Sequence, residues 1–347
     1  MTEVLSRFIE PATLWRGDSL GSVDGAAVDL DPSDLEPITA TARTLAADGN
    51  SAVELVAEQV PLGPLAGSID ALADQLLNGT GFVLLRDFPV DDLSVEEAAI
   101  VFWAVGLHIG RPVSQSVMGD RLGHVIDVSG KDPHARAYRN ANELTPHTDP
   151  ADILSFLCLH PAKSGGMSRF ASSMTVHEEI ARRRPDLLDN LYRGFRYHRF
   201  GEQADGLPAV TPHLLPVFSE RDGRISCRYL RQYIEIAADE FDDIVLSPED
   251  VEALDLFESI VAETGVAVDF TLQKGEAIFA NNFTVLHARS GFEDDDDPSK
   301  KRHLLRLWIA AHDARPIMPT MTMYEGEPGI PPQPGREPSY EHNIDSN

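Results

Sequence analysis

Between residues 124 and 310 the chain is a succession of short apolar runs, many of them rich in β-branched and aromatic residues. Runs of this length predict β-strands rather than helices. The predicted strands are His124–Val128, Ile153–Leu159, Phe195–Phe200, Leu214–Ser219, Ile225–Tyr229, Val266–Leu272, Ala277–Asn281, Val285–Arg289 and Arg302–Ala310. Many short strands with a few helices before and between them favour an α+β, β-rich fold, a two-sheet jelly-roll core with supporting helices.

Capping residues mark the helices of this chain. Helices are predicted from Ser68 to about Asn78, from Ser94 to about Gly106, from Thr175 to about Tyr192 and from Leu246 to Glu263. We expect a single domain over residues 1–347, with a mixed N-terminal extension at 1–65 and the jelly-roll core at 81–311. The Pro- and Gly-rich tail at 315–347 is predicted to be an irregular surface segment.

Composition limits the partners and the compartment. The formal net charge of −27 disfavours nucleic acid and anionic membranes, because both require a basic face. Cys158 and Cys227 lie in apolar runs and are expected to be buried free thiols. The N-terminal residues do not resemble a signal peptide, and apolar runs stay well short of the ~18 residues that span a membrane. We expect a cytoplasmic protein with a small-molecule substrate; the sequence does not indicate the oligomeric state.

His147 and Asp149 are two positions apart in a β-like segment, so their side chains point to the same side. His287 lies in another predicted strand. Two histidines and one carboxylate form the facial triad of non-haem Fe(II) oxygenases, which leaves coordination positions open. Alone, the first pair would fit a polar loop, and His287 would fit a hydrogen-bonded core histidine.

The predicted strand Arg302–Ala310 places Arg302, Leu304, Arg306 and Trp308 on one face. Two arginines in an otherwise apolar strand are costly to bury unless each meets an anion. The pattern therefore favours capture of carboxylates in a closed pocket, for which a planar guanidinium is suited. The alternatives are an exposed edge strand or two structural salt bridges.

Other polar residues are weaker candidates for the pocket. Asn140, Asn142 and Glu143 precede the His-x-Asp pair, and their alternative is a polar turn. Gln115 is a further pocket candidate. Arg231 follows a β-like run and fits either an acidic group of a substrate or a structural ion pair. His177, in the first turn of a predicted helix, is expected to face solvent.

Six short motifs, taken in order, resemble the Fe(II)/2-oxoglutarate dioxygenases of the taurine dioxygenase and clavaminate synthase type. The resemblance extends from Gly81 to Ala311. Its motifs are Gly81-Phe-Val-Leu-Leu-Arg-Asp-Phe-Pro89, Gly110-Arg-Pro-Val-Ser-Gln115, His147-Thr-Asp149, Ser164-Gly-Gly-Met-Ser168, Leu286-His-Ala-Arg289 and Arg302-His-Leu-Leu-Arg306.

This resemblance implies a role for each matching residue. His147, Asp149 and His287 would bind iron, and Arg302 would bind the C5 carboxylate of 2-oxoglutarate with help from Ser168. Arg306 would bind an acidic group of the prime substrate. Related halogenases lack the carboxylate ligand, so Asp149 argues against halogenation.

The predicted cofactor is therefore Fe(II), with 2-oxoglutarate and O₂ as cosubstrates. The predicted reaction is hydroxylation of an unactivated C–H bond in a small carboxylate-bearing substrate, an amino acid or derivative, with release of succinate and CO₂. The alternatives are the same oxidation chemistry giving desaturation or cyclisation, a non-catalytic jelly-roll protein that binds a metal or small acid, and a zinc metallohydrolase. A hydrolase leaves Arg302 unexplained.

Overall fold

Two β-sheets pack face to face and hold the residues discussed above. The structure is a computed structural model that describes residues 8–127, 141–326, 328–333 and 335. Phe82 from one sheet and Phe170 from the other meet edge to face at 5.8 Å between ring centroids. Ile278 and Phe270 extend this apolar layer between the sheets. Aromatic and β-branched side chains on the inner faces therefore hold the two layers together.

The larger sheet has seven strands within the described residues. Its order is β1–β2–β12–β6–β15–β3, with β4 also paired to β15, and all neighbours except β1 and β2 are antiparallel. The strands are β1 Ala27–Asp29, β2 Phe82–Arg86, β3 Gly110–Pro112, β4 Leu122–Val125, β6 Ile153–His160, β12 Ala277–Asn281 and β15 His303–Ala311.

The smaller sheet is antiparallel and has the order β11–β8–β13–β5. Its strands are β5 Leu144–His147, β8 Ser168–Ser172, β11 Val268–Phe270 and β13 Val285–Arg289. Two short antiparallel pairs complete the described strands: β7 Ser164–Gly165 with β14 Phe292–Glu293, and the hairpin of β9 Phe218–Arg221 with β10 Arg224–Cys227.

Helices cover the outer face of the larger sheet and one flank of the molecule. The described helices are α1 Gly17–Leu20, α2 Pro32–Ala47, α3 Ala66–Asn78, α4 Val95–Ile109, α5 Ser173–Arg183, α6 Pro185–Arg193, α7 Arg231–Glu240 and α8 Pro248–Ala262. Leu305, Leu307 and Ile309 of β15 are buried in the apolar cluster that contains α2 to α4. The alternate residues of β15 face the other sheet, as the period of a strand requires.

Most predicted elements are confirmed with shifted ends, and the predicted capping box at Ser94 and Glu97 is present. The predicted strand Phe195–Phe200 is wrong, because this segment makes only single β-bridges, at Phe195 and His198. Its partner segment contains Pro208, Pro212 and Pro216, which cannot donate ladder hydrogen bonds.

The predicted helix from Thr175 to Tyr192 is in fact two helices. Ser172, not Thr175, caps the first of them by accepting a bond from the Thr175 amide at 3.0 Å. The chain breaks at Arg184 because Pro185 cannot continue the first helix. His177 is fully buried rather than solvent-facing, and burial lowers its pKa to about 4.

The described part of the tail contains turns, bends and one short 3-10 helix, Pro319–Met321, and several of its residues are buried, so it is not simply a surface segment. Met321, Met323 and Ile330 are at most 2 % exposed, and Met323 and Ile330 belong to an apolar core cluster. Arg315 anchors the start of the tail through a bidentate pair with Glu10. Both cysteines are buried and free, as the sequence predicts. No helix in the described residues combines the length and the apolar composition needed to cross a membrane.

Candidate active site

The three predicted metal ligands meet at the edge of the smaller sheet. His147 at the end of β5 lies directly opposite His287 on β13, and their ring centroids are 4.1 Å apart. Asp149 follows β5 and projects to the same point, so its carboxylate is 3.9 Å from His147 Nε2 and 3.6 Å from His287 Nε2. One ligand atom from each residue lies within 4.8 Å of the other two. The strand register therefore creates the cluster.

Neighbouring groups hold Asp149 in place from several sides. The indole N–H of Trp308 donates to Asp149 Oδ2 at 2.9 Å, and the Asp149 amide donates to Asn282 Oδ1 at 3.0 Å. The Arg228 guanidinium donates to the Asp149 carbonyl oxygen. Outer contacts of this kind fix the orientation of a metal ligand before the metal binds.

His147 is prepared for metal binding by burial and by one hydrogen bond. His147 Nδ1 donates to the Thr145 carbonyl oxygen at 2.7 Å, which leaves the Nε2 lone pair directed at the cluster. Burial, followed by repulsion from His287, lowers the pKa of His147 to about 4, so the ring is neutral at physiological pH. Burial acts to raise the pKa of Asp149, but its bond and attraction to His287 outweigh this and lower it overall.

A cavity of about 830 Å³ opens beside the cluster and is lined by both sheets, by the start of α7 and by the tail. Most predicted site residues line it: Asn142, Glu143, His147, Asp149, Ser168, Arg231, His287, Arg302 and Arg306. Gln115 is buried behind the wall rather than lining the cavity. Asn140 lies outside the described residues.

Arg302 is a buried cation in this cavity. Its guanidinium lies 4.9 Å from the ring centroid of Phe292, and its Nη1 atom has no hydrogen-bond partner among the described residues. Burial lowers the pKa of Arg302 to about 10, which still leaves it charged. A Cβ on Gly166, a residue with φ of +66°, would lie 3.4 Å from Arg302 Nε, so this turn needs a residue without a side chain.

Sequence reasoning missed Arg289, a second guanidinium at the same end of the cavity. Its guanidinium lies 5.0 Å from the Phe292 ring and donates to the Asn142 carbonyl oxygen. Burial and then repulsion from Arg302 lower the pKa of Arg289 to about 10. Its position two residues after His287 on one strand was the available signal, because both side chains point to the same face.

Arg306 is fixed by contacts on two sides. Its Nε donates to Gln115 Oε1 at 2.5 Å, and its guanidinium lies 4.9 Å from the Trp308 ring centroid. Arg231 has a different environment, with carboxylates of Glu235, Asp255 and Glu258 within 3.0 Å. The alternative of a structural ion pair therefore describes Arg231, although the residue lines the cavity.

The tail also contributes to the cavity, which the sequence did not indicate. Tyr324 and Ile330 line it, and the Tyr324 hydroxyl donates to Glu202 at 3.0 Å. The amide of Gly329 donates to the carbonyl of Pro150, the residue after Asp149, at 2.6 Å. An irregular Pro- and Gly-rich segment has no periodicity from which such contacts could be read.

Comparison with known families identifies the chain. The model of the taurine catabolism dioxygenase TauD, TfdA family matches residues 46–308, which is most of the sequence. This chain belongs to that family. It is therefore an Fe(II)- and 2-oxoglutarate-dependent dioxygenase, and the resemblance seen in its motifs is confirmed.

Relatives and solved structures agree with the family. FR-33289 synthase of Streptomyces rubellomurinus is 30% identical over 324 residues, which cover 91% of this chain and 94% of that protein. An asparagine oxygenase crystallised with Fe(II), 2S,3S-3-hydroxyasparagine and succinate has a TM-score of 0.66 at 19% identity, covering 82% of this chain and 93% of its own. The non-haem iron oxygenase OrfP, crystallised with Fe and α-ketoglutaric acid, has a TM-score of 0.60 at 14% identity, covering 82% and 94%. These two structures share the fold.

Proposed function

We propose that this chain hydroxylates an unactivated C–H bond of a small carboxylate-bearing substrate, an amino acid or a derivative of one. His147, Asp149 and His287 hold Fe(II) in this proposal, and Arg302 binds the distal carboxylate of 2-oxoglutarate. The observation that supports it most is a pair of neighbouring features. A cluster of two imidazoles and one carboxylate opens into a cavity that also contains a buried guanidinium, Arg302, whose Nη1 has no hydrogen-bond partner among the described residues.

The donor set fits the metal and the cosubstrate. Two imidazoles and one carboxylate are the ligands that non-haem Fe(II) oxygenases use. Bound there with 2-oxoglutarate, Fe(II) would activate O₂, which is the oxidant: one oxygen atom would end in succinate as CO₂ is lost, and the other would be inserted into the substrate C–H bond. Arg302 orients the cosubstrate by a charge-assisted bond, and the Ser168 hydroxyl on β8 adds a weaker one. Arg289, at the same end of the cavity, adds positive charge.

In this proposal, Arg306 is the residue that selects substrates bearing a carboxylate. A guanidinium that lines the cavity on the same face as Arg302 suits a carboxylate on the prime substrate. The structurally similar asparagine oxygenase and OrfP, whose structures contain hydroxylated asparagine and (3S)-hydroxy-L-Arg, support an amino-acid substrate. Asn142 and Glu143 at the cavity wall are further substrate contacts in this proposal.

The proposal also covers the fold type, the cellular compartment and the kind of product. The two facing sheets form a double-stranded β-helix, which the family and the sheet pairing support. The reaction takes place in the cytoplasm, in keeping with the two free thiols. Asp149 occupies the ligand position that halogenases leave without a carboxylate, so the product is hydroxylated rather than halogenated. Desaturation or cyclisation is the alternative outcome, and substrate placement decides between them.

Anaerobic reconstitution tests the metal site. Fe(II) and 2-oxoglutarate added to the wild-type chain should produce a charge-transfer absorption band in the visible region. Asp149→Ala should lose this band, because the variant lacks one of the three protein ligands. A wild-type chain that binds both components but gives no band would count against the proposed ligand set.

Product analysis then separates the alternatives. Succinate formation is measured over a panel of amino acids and their amides, with and without O₂. O₂-dependent succinate that increases with an acidic panel member supports the proposal. Substrate turnover without O₂ would point to the metallohydrolase, and metal binding without any succinate, even uncoupled, would point to the non-catalytic binding protein.

A further inference from the structure

Gln115 is a buried side chain that is connected to the cavity by its bond to Arg306. It is 1% exposed and does not line the cavity. Its Oε1 accepts a bond from Arg306 Nε at 2.5 Å. A residue in this position cannot contact a substrate, but it can decide how Arg306 meets one.

The orientation of the Gln115 amide is determined by its surroundings. Its Nε2 donates to the carbonyl oxygens of Arg121 and Arg306, each at 3.0 Å. An amide has two N–H donors and carbonyls only accept, so both donors are in use and Oε1 must face the guanidinium. Gln115 is therefore held as an acceptor for Arg306.

Gly123 makes room for this arrangement. It pairs with Arg306 in the β4–β15 register. A Cβ at Gly123 would lie 3.1 Å from Gln115 Oε1 and 3.7 Å from Arg306 Nε. A side chain at this position would therefore push against the bond between Gln115 and Arg306 without reaching the cavity itself.

The bond has a geometric consequence for Arg306. A guanidinium offers two edges with two donors each: a side edge that includes Nε, and an end edge formed by the two Nη atoms. Gln115 occupies Nε, and the Trp308 ring lies beside the plane of the group. With Nε engaged by Gln115, an oxyanion in the cavity would meet Arg306 through its end edge.

The bond also has an electrostatic consequence. Gln115 is neutral, so it orients Arg306 without adding a negative charge beside it. The carboxylates around Arg231 orient that arginine as well, but they also compensate its charge. Gln115 therefore orients Arg306 without itself neutralising the guanidinium.

We propose that Gln115 is a specificity-determining positioning residue that presents the end edge of Arg306 to the acidic group of the prime substrate. The proposal rests on the proposed role of Arg306. It extends that role to a residue outside the cavity, with Gly123 as the position that keeps Gln115 in place.

Selective isotope labelling tests this proposal without knowledge of the natural substrate. The full-length chain, labelled with [¹⁵N]arginine and loaded with Zn(II) as a diamagnetic substitute and with 2-oxoglutarate, is observed through its arginine Nε–H signals. Loss of a signal in Arg302→Lys and in Arg306→Lys assigns the two arginines. The probes are acetate and acetamide, a matched pair that differs in charge.

In the wild-type chain, acetate should shift the Arg306 signal in a saturable way and acetamide should not. Gln115→Met keeps the shape but removes the acceptor, so acetate should bind about tenfold more weakly or worse. The exposed residue Gln59 also accepts a backbone hydrogen bond, so Gln59→Met is the matched control and should bind acetate as the wild type does.

The proposal would be overturned if acetate did not shift the Arg306 signal, or if acetamide shifted it equally. Unchanged acetate affinity in a folded Gln115→Met would do the same. Should that variant fail to fold, Gly123→Ala takes its place, because it retains Gln115 and should weaken acetate binding by at least about threefold; unchanged affinity there would be equally negative. Failure of the proposed function has a separate signature, because then 2-oxoglutarate would not shift the Arg302 signal.

Discussion

Arg302 and Arg231 line the same cavity, yet their surroundings have little in common. Arg302 contacts an aromatic ring and has a buried Nη1 without a partner among the described residues. Arg231 is surrounded by three carboxylates, two of them on α8. Arg302 can therefore gain a favourable anion contact from a ligand, whereas Arg231 would have to give up existing ones. Counter-charge within the protein, rather than position in a cavity, distinguishes a ligand-binding arginine from a structural one.

The largest effect is expected at Arg302. Arg302→Met should weaken 2-oxoglutarate binding by about tenfold or more, because one charge-assisted hydrogen bond contributes roughly 1.5–3 kcal/mol. Anaerobic titration of the Fe(II) complex measures this affinity. Wild-type affinity in the variant would remove the distinction between the two arginines.

Trp308 is a second cavity residue to test, because its hydrogen-bond partner is the proposed metal ligand Asp149. Trp308→Phe keeps an aromatic ring beside Arg306 but removes the donor to Asp149, so metal affinity should fall by about 10–100-fold. Calorimetric titration with Fe(II) under argon measures it. Trp103→Phe is the matched control, since it also loses a buried indole bond, to Leu55, and should leave metal affinity unchanged.

Arg231→Met tests whether Arg231 is a structural arginine, in contrast to Arg302. The variant leaves three carboxylates without their cation, but Glu235 and Asp255 are partly exposed, so the cost is reduced by solvent. The free energy of unfolding should fall by about 1–3 kcal/mol, as chemical denaturation would show. Its 2-oxoglutarate affinity should match the wild type, and a large loss there would mean that Arg231 also binds the cosubstrate.

The smallest effect is expected at Ser168. Ser168→Ala removes one neutral hydroxyl from the cosubstrate end, which corresponds to about 0.5–1.5 kcal/mol, or roughly threefold to tenfold in 2-oxoglutarate affinity. Ser164→Ala changes an exposed residue on β7 and should leave the 2-oxoglutarate affinity unchanged. An effect as large as that of Arg302→Met would indicate that Ser168 contributes more than one neutral bond.

The metal cluster could be predicted because it follows from strand geometry. The two-residue spacing of His147 and Asp149 fixes their common face, and apolar alternation places Arg302, just before β15, on the same side as Arg306 within it. These are local properties, and the strand pairing of His147 with His287 then completes the cluster.

Other contacts could not be predicted, since they depend on how distant segments pack. Gln115 and Arg306 are 191 residues apart, and no pattern in either segment indicates their bond. The same holds for Arg231, whose partners on α8 come within reach only in the folded chain. The burial of His177 was missed because its helix packs against Tyr192 and Phe218 on the side that the sequence assigned to solvent.

The tail has a practical consequence for anyone who redesigns this enzyme. It supplies Tyr324 and Ile330 to the cavity but none of the three metal ligands. One part of the cavity wall is thus encoded apart from the codons for the three metal ligands. Random libraries confined to codons 315–333 would sample new substrates while the reactive centre is inherited intact.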